Sequence, residues 1–494
     1  MRLLAGSLLA RLRVLPRSLV SALARSFAIF FLGGLLGFLA LAPLPSFGWD
    51  FDYSFSADKA LRGDWVQVWR SIGLGDAHPP LYYLAFRAWM SLGGHARLDS
   101  GVSDAAIAWS YSLSLLGFVF LSGALALASW DLLGPWGAMG ALGLLFLFED
   151  APWAPLLRMY PWAALWVLLG AWGYLRGQVW AGSLAGTLGL YTHYLTGIAL
   201  LPFALYALAR SGRRALLGFT PYLLFSFWAP YLLWQVQHGR ANPDIRPEPE
   251  ALFKYLWFKW PPDLLLLLLL VGGVGLALNR AYRERFLPVL LLPVASLYVW
   301  YFSSLWLNTV LIRYLFVFAP LVSLGAAAAL AWLPSLARWS AALLLLGVGL
   351  PLARYNHPYL PWEDLTAHSR LAARYLDAGM VDRFLIDPGT RFSSFLVHMP
   401  GEKRLEEISD PLVLLRYCTH PRPLLAWEYR DQRPEASQVR ALLGCWKGRV
   451  RRLDPMPPGV YHRGSLYLLL PEGISEGQAD RERAGLERPR RSAR

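Results

Sequence analysis

The chain has 494 residues, of which 56% are hydrophobic and only 16% are charged. An average soluble domain has about 25% charged residues, so this composition excludes a protein that folds in water. The net charge of +14 does not indicate a nucleic-acid partner, because the arginines and lysines stand in short clusters between apolar segments. Basic clusters in that arrangement mark the cytoplasmic loops of a multi-pass membrane protein.

Apolar windows long enough to cross a hydrocarbon layer of ~30 Å recur along most of the chain, and we predict about eleven spans. Helices are the expected form, since every backbone amide in lipid must be satisfied within its own segment. The first span follows a basic N-terminus but is too long for a cleaved signal peptide, so it is predicted to be retained. The predicted spans are 19–46, 105–130, 134–149, 159–176, 179–193, 194–210, 214–235, 263–278, 286–306, 313–333 and 338–354.

The loops between these spans give a consistent orientation in the cell membrane. With the N-terminus inside, the basic turns at 210–214 and 280–285 and Arg338 also fall inside. The same count places 48–104, 236–262 and everything after residue 354 outside. The long aromatic segment 48–104 is predicted to form short amphipathic helices that contact membrane lipid at the interface.

The composition changes after the last span, where charge increases and apolar runs shorten. Leu365 to Leu376 has a helical pattern, and Arg383 to Asp387 is typical of a strand. We therefore predict a mainly α, polytopic membrane domain over residues 1–354 and a small extracytoplasmic α/β domain over 355–472. The remaining tail, 473–494, is predicted to be disordered.

Both cysteines of the chain, Cys418 and Cys445, lie in this C-terminal region. On the outer side of the membrane they can form a disulfide, which requires an oxidising compartment. The alternative is two unrelated buried thiols.

Ionisable residues near the ends of apolar spans are candidates for a functional site, because charge is costly in lipid. Arginine suits phosphate, tyrosine suits a sugar ring, and a carboxylate can accept a proton from an attacking hydroxyl. A transferase that uses a lipid-phosphate sugar needs all three. The candidates, which all fall on the predicted outer side, are Asp50, Asp52, Asp76, His78, Tyr82, Glu149, Asp150, Arg158, Tyr160, His193, Arg313 and Tyr314.

Most of these residues also fit a structural role. Asp50 and Asp52 fit helix caps. Arg158 and Arg313 fit side chains that extend to lipid headgroups without a substrate. His193, in a short turn, fits a hydrogen-bonded structural histidine.

Other classes of protein find less support in the sequence. Asp76 and His78 supply two metal ligands without a third. The sequence has no phosphate-binding Gly-Lys-Ser/Thr loop and no Gly-x-Ser-x-Gly elbow, which disfavours nucleotide-driven transport and serine hydrolysis. A transporter or flippase of lipid-linked sugars and a non-enzymatic membrane assembly protein remain as alternatives.

Four strings of residues resemble motifs of the GT-C glycosyltransferases, in the same order along the chain. The likeness is to the bacterial branch related to dolichyl-phosphate-mannose protein mannosyltransferases (glycosyltransferase family 39) and to lipid A aminoarabinose transferases, and it covers roughly residues 20–350. The strings are Asp76-Ala77-His78-Pro79-Pro80-Leu81-Tyr82-Tyr83, Arg158-Met159-Tyr160, Leu190-Tyr191-Thr192-His193-Tyr194 and Arg313-Tyr314.

The resemblance implies inverting transfer of a sugar from a polyprenyl-phosphate donor to a glycan, lipid or protein acceptor at the outer face. Asp52, in Asp52-Tyr53-Ser54-Phe55-Ser56, inherits the catalytic role, and Arg158 and Arg313 the donor phosphate. The resemblance also implies a substrate pocket, which is lined by Asp50, Asp76, His78, Tyr82, Tyr160, His193 and Tyr314.

The sequence departs from the family where Tyr53 and Leu156 replace glutamates. Either Asp50, Glu149 or Asp150 takes over that role, or the divalent metal that some members use is absent. The resemblance implies no other cofactor.

Overall fold

The computed structural model describes two compact units of the chain. The helical unit comprises residues 1–44, 69–82 and 111–358, and the mixed unit comprises residues 45–68, 83–110 and 359–494. The residues described are 17–41, 51–61, 63–75, 78–95, 103–148, 151, 154, 158–237, 261–307, 314–355, 365–386, 395, 399, 402–408, 411–429, 438–453 and 464–472.

Helices account for nearly all of the described chain before residue 356. The first four are α1 (Arg17–Leu41), α2 (Phe51–Leu61), α3 (Trp65–Gly75) and α4 (Leu81–Leu92). They are followed by α5 (Asp104–Leu133), α6 (Pro135–Phe146), α7 (Tyr160–Leu175), α8 (Val179–Thr192) and α9 (Leu195–Ser211). The last six are α10 (Thr220–Phe225), α11 (Ala229–Gln237), α12 (Pro262–Leu278), α13 (Arg280–Leu307), α14 (Leu315–Ala329) and α15 (Ser335–Tyr355).

Each predicted span overlaps helical structure in the part of the chain that the structure describes. Within the described residues, five helices are long and apolar enough to cross a membrane: Ser21–Leu41, Asp104–Leu133, Arg280–Ser303, Leu315–Trp332 and Ser335–Arg354. Four shorter apolar helices lie among them. The prediction of a multi-pass, mainly helical membrane protein is confirmed.

The predicted span 214–235 differs most from the structure, because it is broken into three pieces. A 3₁₀ helix, Gly212–Phe219, precedes α10, and a turn at Ser226 to Trp228 separates α10 from α11. Pro221 and Pro230 each stand near the start of a helical piece, where proline fits because the N–H it lacks has no intrahelical acceptor there. Apolar composition therefore predicted that the segment is helical. The two prolines explain why it is divided into separate helical pieces.

Close helix contacts in the helical unit depend on glycine. Helix α6 packs against α15, where a Cβ on Gly143 would meet the backbone of Leu345 and Leu346. Gly349 faces the Gly143 carbonyl in the same contact. In lipid there is no hydrophobic driving force for helix association, so membrane helices depend on close packing. Small residues of this kind allow their backbones to approach closely.

Arginines gather at one end of the helical unit. Arg176, after α7, pairs with Asp131 of α5 at 3.1 Å, and the guanidinium of Arg338 lies 5.1 Å from the centre of the Trp136 ring. At the same end of α7, the Tyr174 hydroxyl donates to the Gly218 carbonyl at 2.9 Å. We call this the basic end.

The mixed unit contains a five-stranded sheet, as the α/β prediction for the C-terminal region requires. The strands are β1 (Arg383–Ile386), β2 (Leu405–Glu407), β3 (Leu424–Tyr429), β4 (Gly448–Leu453) and β5 (Gly464–Pro471), in the order β2-β1-β3-β5-β4. Strand β1 is parallel to β2 and β3, and β5 is antiparallel to β3 and β4.

Helices cover both faces of this sheet. Helix α16 (Leu365–Asp377) packs on one face, and α17 (Pro411–Tyr417) and α18 (Gln438–Cys445) on the other. Cys418 and Cys445 form a disulfide that joins the ends of α17 and α18, with Cα atoms 5.4 Å apart. Of the two alternatives left by the sequence, the structure therefore has the disulfide. Arg370 of α16 also pairs with Asp104, at the start of α5, at 2.5 Å.

The contact between α6 and α15 gives a testable prediction. We expect Gly349→Leu to lower the free energy of unfolding by ~1–3 kcal/mol, because the added side chain meets backbone that cannot move aside. Heating the detergent-solubilised protein in steps and measuring the monodisperse fraction by size exclusion checks this. Gly347→Leu is the matched control on the same helix, since a Cβ there has no neighbour within 4 Å. Equal stability of the two variants would contradict the packing argument.

Candidate functional site

Rings from four distant segments of the helical unit meet at one place. His78 precedes α4, Tyr160 opens α7, His193 joins α8 to α9, and Tyr314 precedes α14. The centre of the His193 ring lies 5.3 Å from that of His78, 5.1 Å from Tyr160 and 5.4 Å from Tyr314. Tyr160 and Tyr314 are 6.0 Å apart. We call these four residues the His–Tyr cluster.

The cluster lies at the end of α7 opposite the basic end. Tyr160 is the first residue of α7 and Arg176 follows its last. A helix of that length is ~24 Å long, which approaches the thickness of a bilayer core. The ion pair of Arg176 with Asp131 and the His–Tyr cluster are thus separated by the length of α7.

Backbone hydrogen bonds fix the His193 turn. The His193 N–H donates to the Gly189 carbonyl at 2.7 Å, and the His193 carbonyl accepts from Thr196 N–H at 3.0 Å. The Leu195 N–H donates to His193 Nδ1 at 3.2 Å, so Nδ1 is an acceptor. The neutral imidazole therefore carries its proton on Nε2, and the ring is held by its own turn.

Arg158 lies two residues before Tyr160 and is almost fully buried, with 2% of its surface exposed. Its φ of 50° is in the left-handed region, and it is the one non-glycine residue of the described chain with a positive φ. Such a conformation costs of order 1–3 kcal/mol and persists where surrounding structure holds it. The Ser114 hydroxyl of α5 donates to the Arg158 carbonyl at 2.8 Å and helps to hold it.

Ser114, which supports the Arg158 backbone, was not among the residues predicted from the sequence. It lies within a long apolar helix, between Leu113 and Leu115, and is fully buried. Its signal was a hydroxyl in the middle of a predicted span, where a polar group needs a partner. The partner, a carbonyl 44 residues further along the chain, is not visible in a pattern of residues.

The remaining predicted site residues divide into two groups. Asp52 is the second residue of α2, and Tyr82 is buried in the first turn of α4. Asp50, Asp76, Glu149, Asp150 and Arg313 lie outside the described residues.

The residues that the structure describes do not form a metal-binding site. Among them, no group of three or more His, Cys, Asp or Glu side chains is arranged to hold an ion. His78 and His193 are near each other, but two imidazoles without a third ligand do not make a metal site.

Comparison with known proteins gives the fold. No protein-family model matches the sequence, and no curated protein matches it. Solved structures do match. The crystal structure of ArnT from Cupriavidus metallidurans in the apo state is similar with a TM-score of 0.50 and 12% identity, over 92% of this chain and 98% of that one. The crystal structure of the same protein bound to undecaprenyl phosphate gives a TM-score of 0.49 and 13% identity over the same shares.

The chain has an ArnT-like membrane fold. This confirms the predicted fold class, a mainly α membrane protein with a small C-terminal sheet. The sheet was predicted from the change in composition after residue 354 and not from the motif strings. At this level of identity the likeness concerns the fold, and the roles of individual residues stay predictions.

The backbone at Arg158 gives a second testable prediction. We expect Arg158→Gly to be more stable than Arg158→Ala by ~1 kcal/mol, because both remove the guanidinium but only alanine disfavours a positive φ. Thermal unfolding of the two purified variants in the same detergent measures the difference. An alanine variant as stable as the glycine variant would show that the left-handed conformation is absent in solution.

Proposed function

We propose that this protein is a membrane glycosyltransferase that moves a sugar from a polyprenyl-phosphate donor to an acceptor at the outer face of the membrane. One observation carries the proposal: residues of all four family-like strings meet at the His–Tyr cluster and the adjacent Arg158 turn. His78, Tyr160, His193 and Tyr314 are far apart in the sequence. Strings that resembled the family by chance would have no reason to converge in space.

The chemistry of this place suits an anionic, sugar-bearing substrate. A buried arginine is a strong donor to phosphate, since its planar fork forms two charge-assisted hydrogen bonds. His193 Nε2–H is a second donor nitrogen, because Nδ1 is engaged by the backbone. The flat faces of Tyr160 and Tyr314 suit the apolar side of a sugar ring. Arg313, which precedes Tyr314 in the sequence, is proposed as a further phosphate ligand.

The proposed reaction is a single inverting displacement. An acceptor hydroxyl or amine attacks the anomeric carbon, and the bond from that carbon to the phosphate oxygen breaks. The electron pair leaves with the polyprenyl phosphate, where Arg158 and Arg313 stabilise the charge. Asp52 takes the proton of the attacking group. Because the phosphate leaves without protonation, a second catalytic carboxylate of the kind that glycosidases use is unnecessary.

Two observations support an outer location for this chemistry. The basic end holds the arginines that the positive-inside rule assigns to the cytoplasm, and the His–Tyr cluster lies at the other end of α7. The Cys418–Cys445 disulfide belongs to an oxidising compartment, which supports placing the C-terminal α/β domain outside the cytoplasm.

Transfer activity tests the proposed function directly. Purified protein in nanodiscs is incubated with polyprenyl-phosphate sugars labelled in the sugar, mannose and aminoarabinose among them, and with membranes from a strain that lacks the gene. We expect label to leave the lipid and appear on an acceptor. We expect Asp52→Asn and Arg158→Gly each to reduce the rate at least ~10²-fold, by loss of the base and of a phosphate donor.

Arg158→Gly is the informative arginine variant because glycine tolerates the backbone conformation, so lost activity reports the guanidinium rather than misfolding. Arg158→Lys should retain part of the rate, since an ammonium keeps the charge without the fork. In sealed proteoliposomes, movement of labelled lipid across the bilayer without cleavage would indicate a flippase instead. Wild-type transfer by Asp52→Asn would remove Asp52 from the mechanism.

The orientation of the C-terminal domain has its own test. Alkaline phosphatase fused after residue 472 should be active, because it needs disulfides that form outside the cytoplasm. Green fluorescent protein fused at the same position should not fluoresce. Fusions after Arg176, at the basic end, are the matched controls and should give the reverse pattern. A fluorescent C-terminal fusion would invert the proposed topology.

A further inference from the structure

Arg87 of α4 binds the end of another helix of the mixed unit. Its Nη1 donates to the Ala60 carbonyl at 2.9 Å, and its Nη2 donates to the Gly63 carbonyl at 2.7 Å. The guanidinium also stacks over the Trp65 ring, 4.9 Å from its centre. One side chain therefore joins three points of the connection between α2 and α3.

The described residues of this connection, from Gly63 onward, have defined local geometry. Gly63 has a φ of 78°, which ends α2 in the left-handed conformation that glycine favours. Asp64 N–H donates to Gln67 Oε1 and Gln67 N–H donates to Asp64 Oδ1, both at 2.8 Å, which forms a capping box at the start of α3. Because Ala60 belongs to the last turn of α2, Arg87 contacts the helix itself as well as the segment that follows it.

The position of α2 matters because its other end carries Asp52. Asp52 and Ala60 are eight residues apart in the sequence, which is ~12 Å along a helix. A tilt of about 10° at the Ala60 end would move the backbone at Asp52 by ~2 Å. A displacement of even 1 Å from the productive geometry can cost ~10²-fold in rate.

The chemistry of Arg87 fits this task better than it fits simple packing. The last carbonyls of a helix have no partner within the helix and carry partial negative charge, which a cation stabilises. A planar fork with several donors can reach two carbonyls at once, whereas an ammonium cannot hold both in a fixed plane. An apolar side chain would fill the space but would leave the Ala60 and Gly63 carbonyls without this donor.

We propose that Arg87 is a positioning residue that orients α2, and through it Asp52, for proton transfer from the acceptor. This inference rests on the proposed function, in which Asp52 is the base. It assigns to Arg87 a role in the rate of the chemical step and none in binding the donor.

Steady-state kinetics of the full-length protein, with the labelled polyprenyl-phosphate sugar described above, test the proposal. We expect Arg87→Ala to lower kcat ~10²-fold while KM for the donor changes less than about 3-fold. Arg87→Lys should lie between, near a 10-fold loss, because it keeps the charge at the helix end. In the Asp52→Asn background, Arg87→Ala should cause no further loss, since it acts through the missing carboxylate.

A distance measurement reads the position of α2 without reference to activity. Nitroxide labels on Tyr53→Cys, near the Asp52 end of α2, and on Ala88→Cys in α4 should give a narrow distance distribution that broadens or moves by ~2 Å when Arg87 becomes alanine. Both native cysteines are held in the disulfide and do not compete for label. Arg70→Ala, which removes an exposed arginine of α3, is the matched control and should change neither the distance nor kcat.

The outcomes separate the two proposals. Normal kcat in Arg87→Ala, an unchanged label distance, or an equal fold loss in the Asp52→Asn background overturns the positioning role while leaving the glycosyltransferase intact. Normal transfer by Asp52→Asn overturns the proposed base itself. Should Arg87→Ala fail to fold, Arg87→Lys carries the same kinetic and distance tests, and full activity with a normal distance in that variant overturns the need for the fork.

Discussion

The geometry of the candidate site depends on the turn at Arg158. Its left-handed backbone lies two residues before Tyr160, the first residue of α7, so that a buried arginine and a buried tyrosine stand within three residues of each other. Serine 114 of α5 holds the carbonyl of this turn, and the ring of His193 packs on Tyr160. Burial of a cation and a strained backbone at one point is unfavourable for folding alone. Both features are therefore maintained by the structure around them, of which the Ser114 hydrogen bond is one part.

The fold was largely predictable because a chain in lipid must satisfy its backbone hydrogen bonds internally, which favours helices. Apolar length and the need to satisfy backbone amides decided the helices, and the prolines near 221 and 230 explain the segment that departed from prediction. The strand at Arg383 and the helix at Leu365 followed equally simple patterns in water. Glycine contacts such as Gly143 with Gly349 could not be predicted, because they depend on which helices become neighbours.

The site was predictable in composition but not in geometry. Motif resemblance brought forward His78, Tyr160, His193 and Tyr314, and these do contact one another in the structure. Burial, by contrast, separates arginines that look alike in the sequence. The side chain of Arg176 is 50% exposed and pairs with Asp131, whereas Arg158 is buried at the opposite end of α7. The first fits a determinant of orientation, and the second fits a ligand for a buried anion.

His193 shows why a structural role and a chemical role need not compete. The sequence left both open, as though one excluded the other. The two ring nitrogens are chemically distinct, and the Leu195 N–H engages only Nδ1. That bond fixes the tautomer, which gives Nε2 the proton, and it fixes the plane of a ring that contacts three other cluster residues. The structural bond is thus what makes Nε2 a donor of defined direction, which is the preorganisation that the proposed contact with a donor phosphate requires.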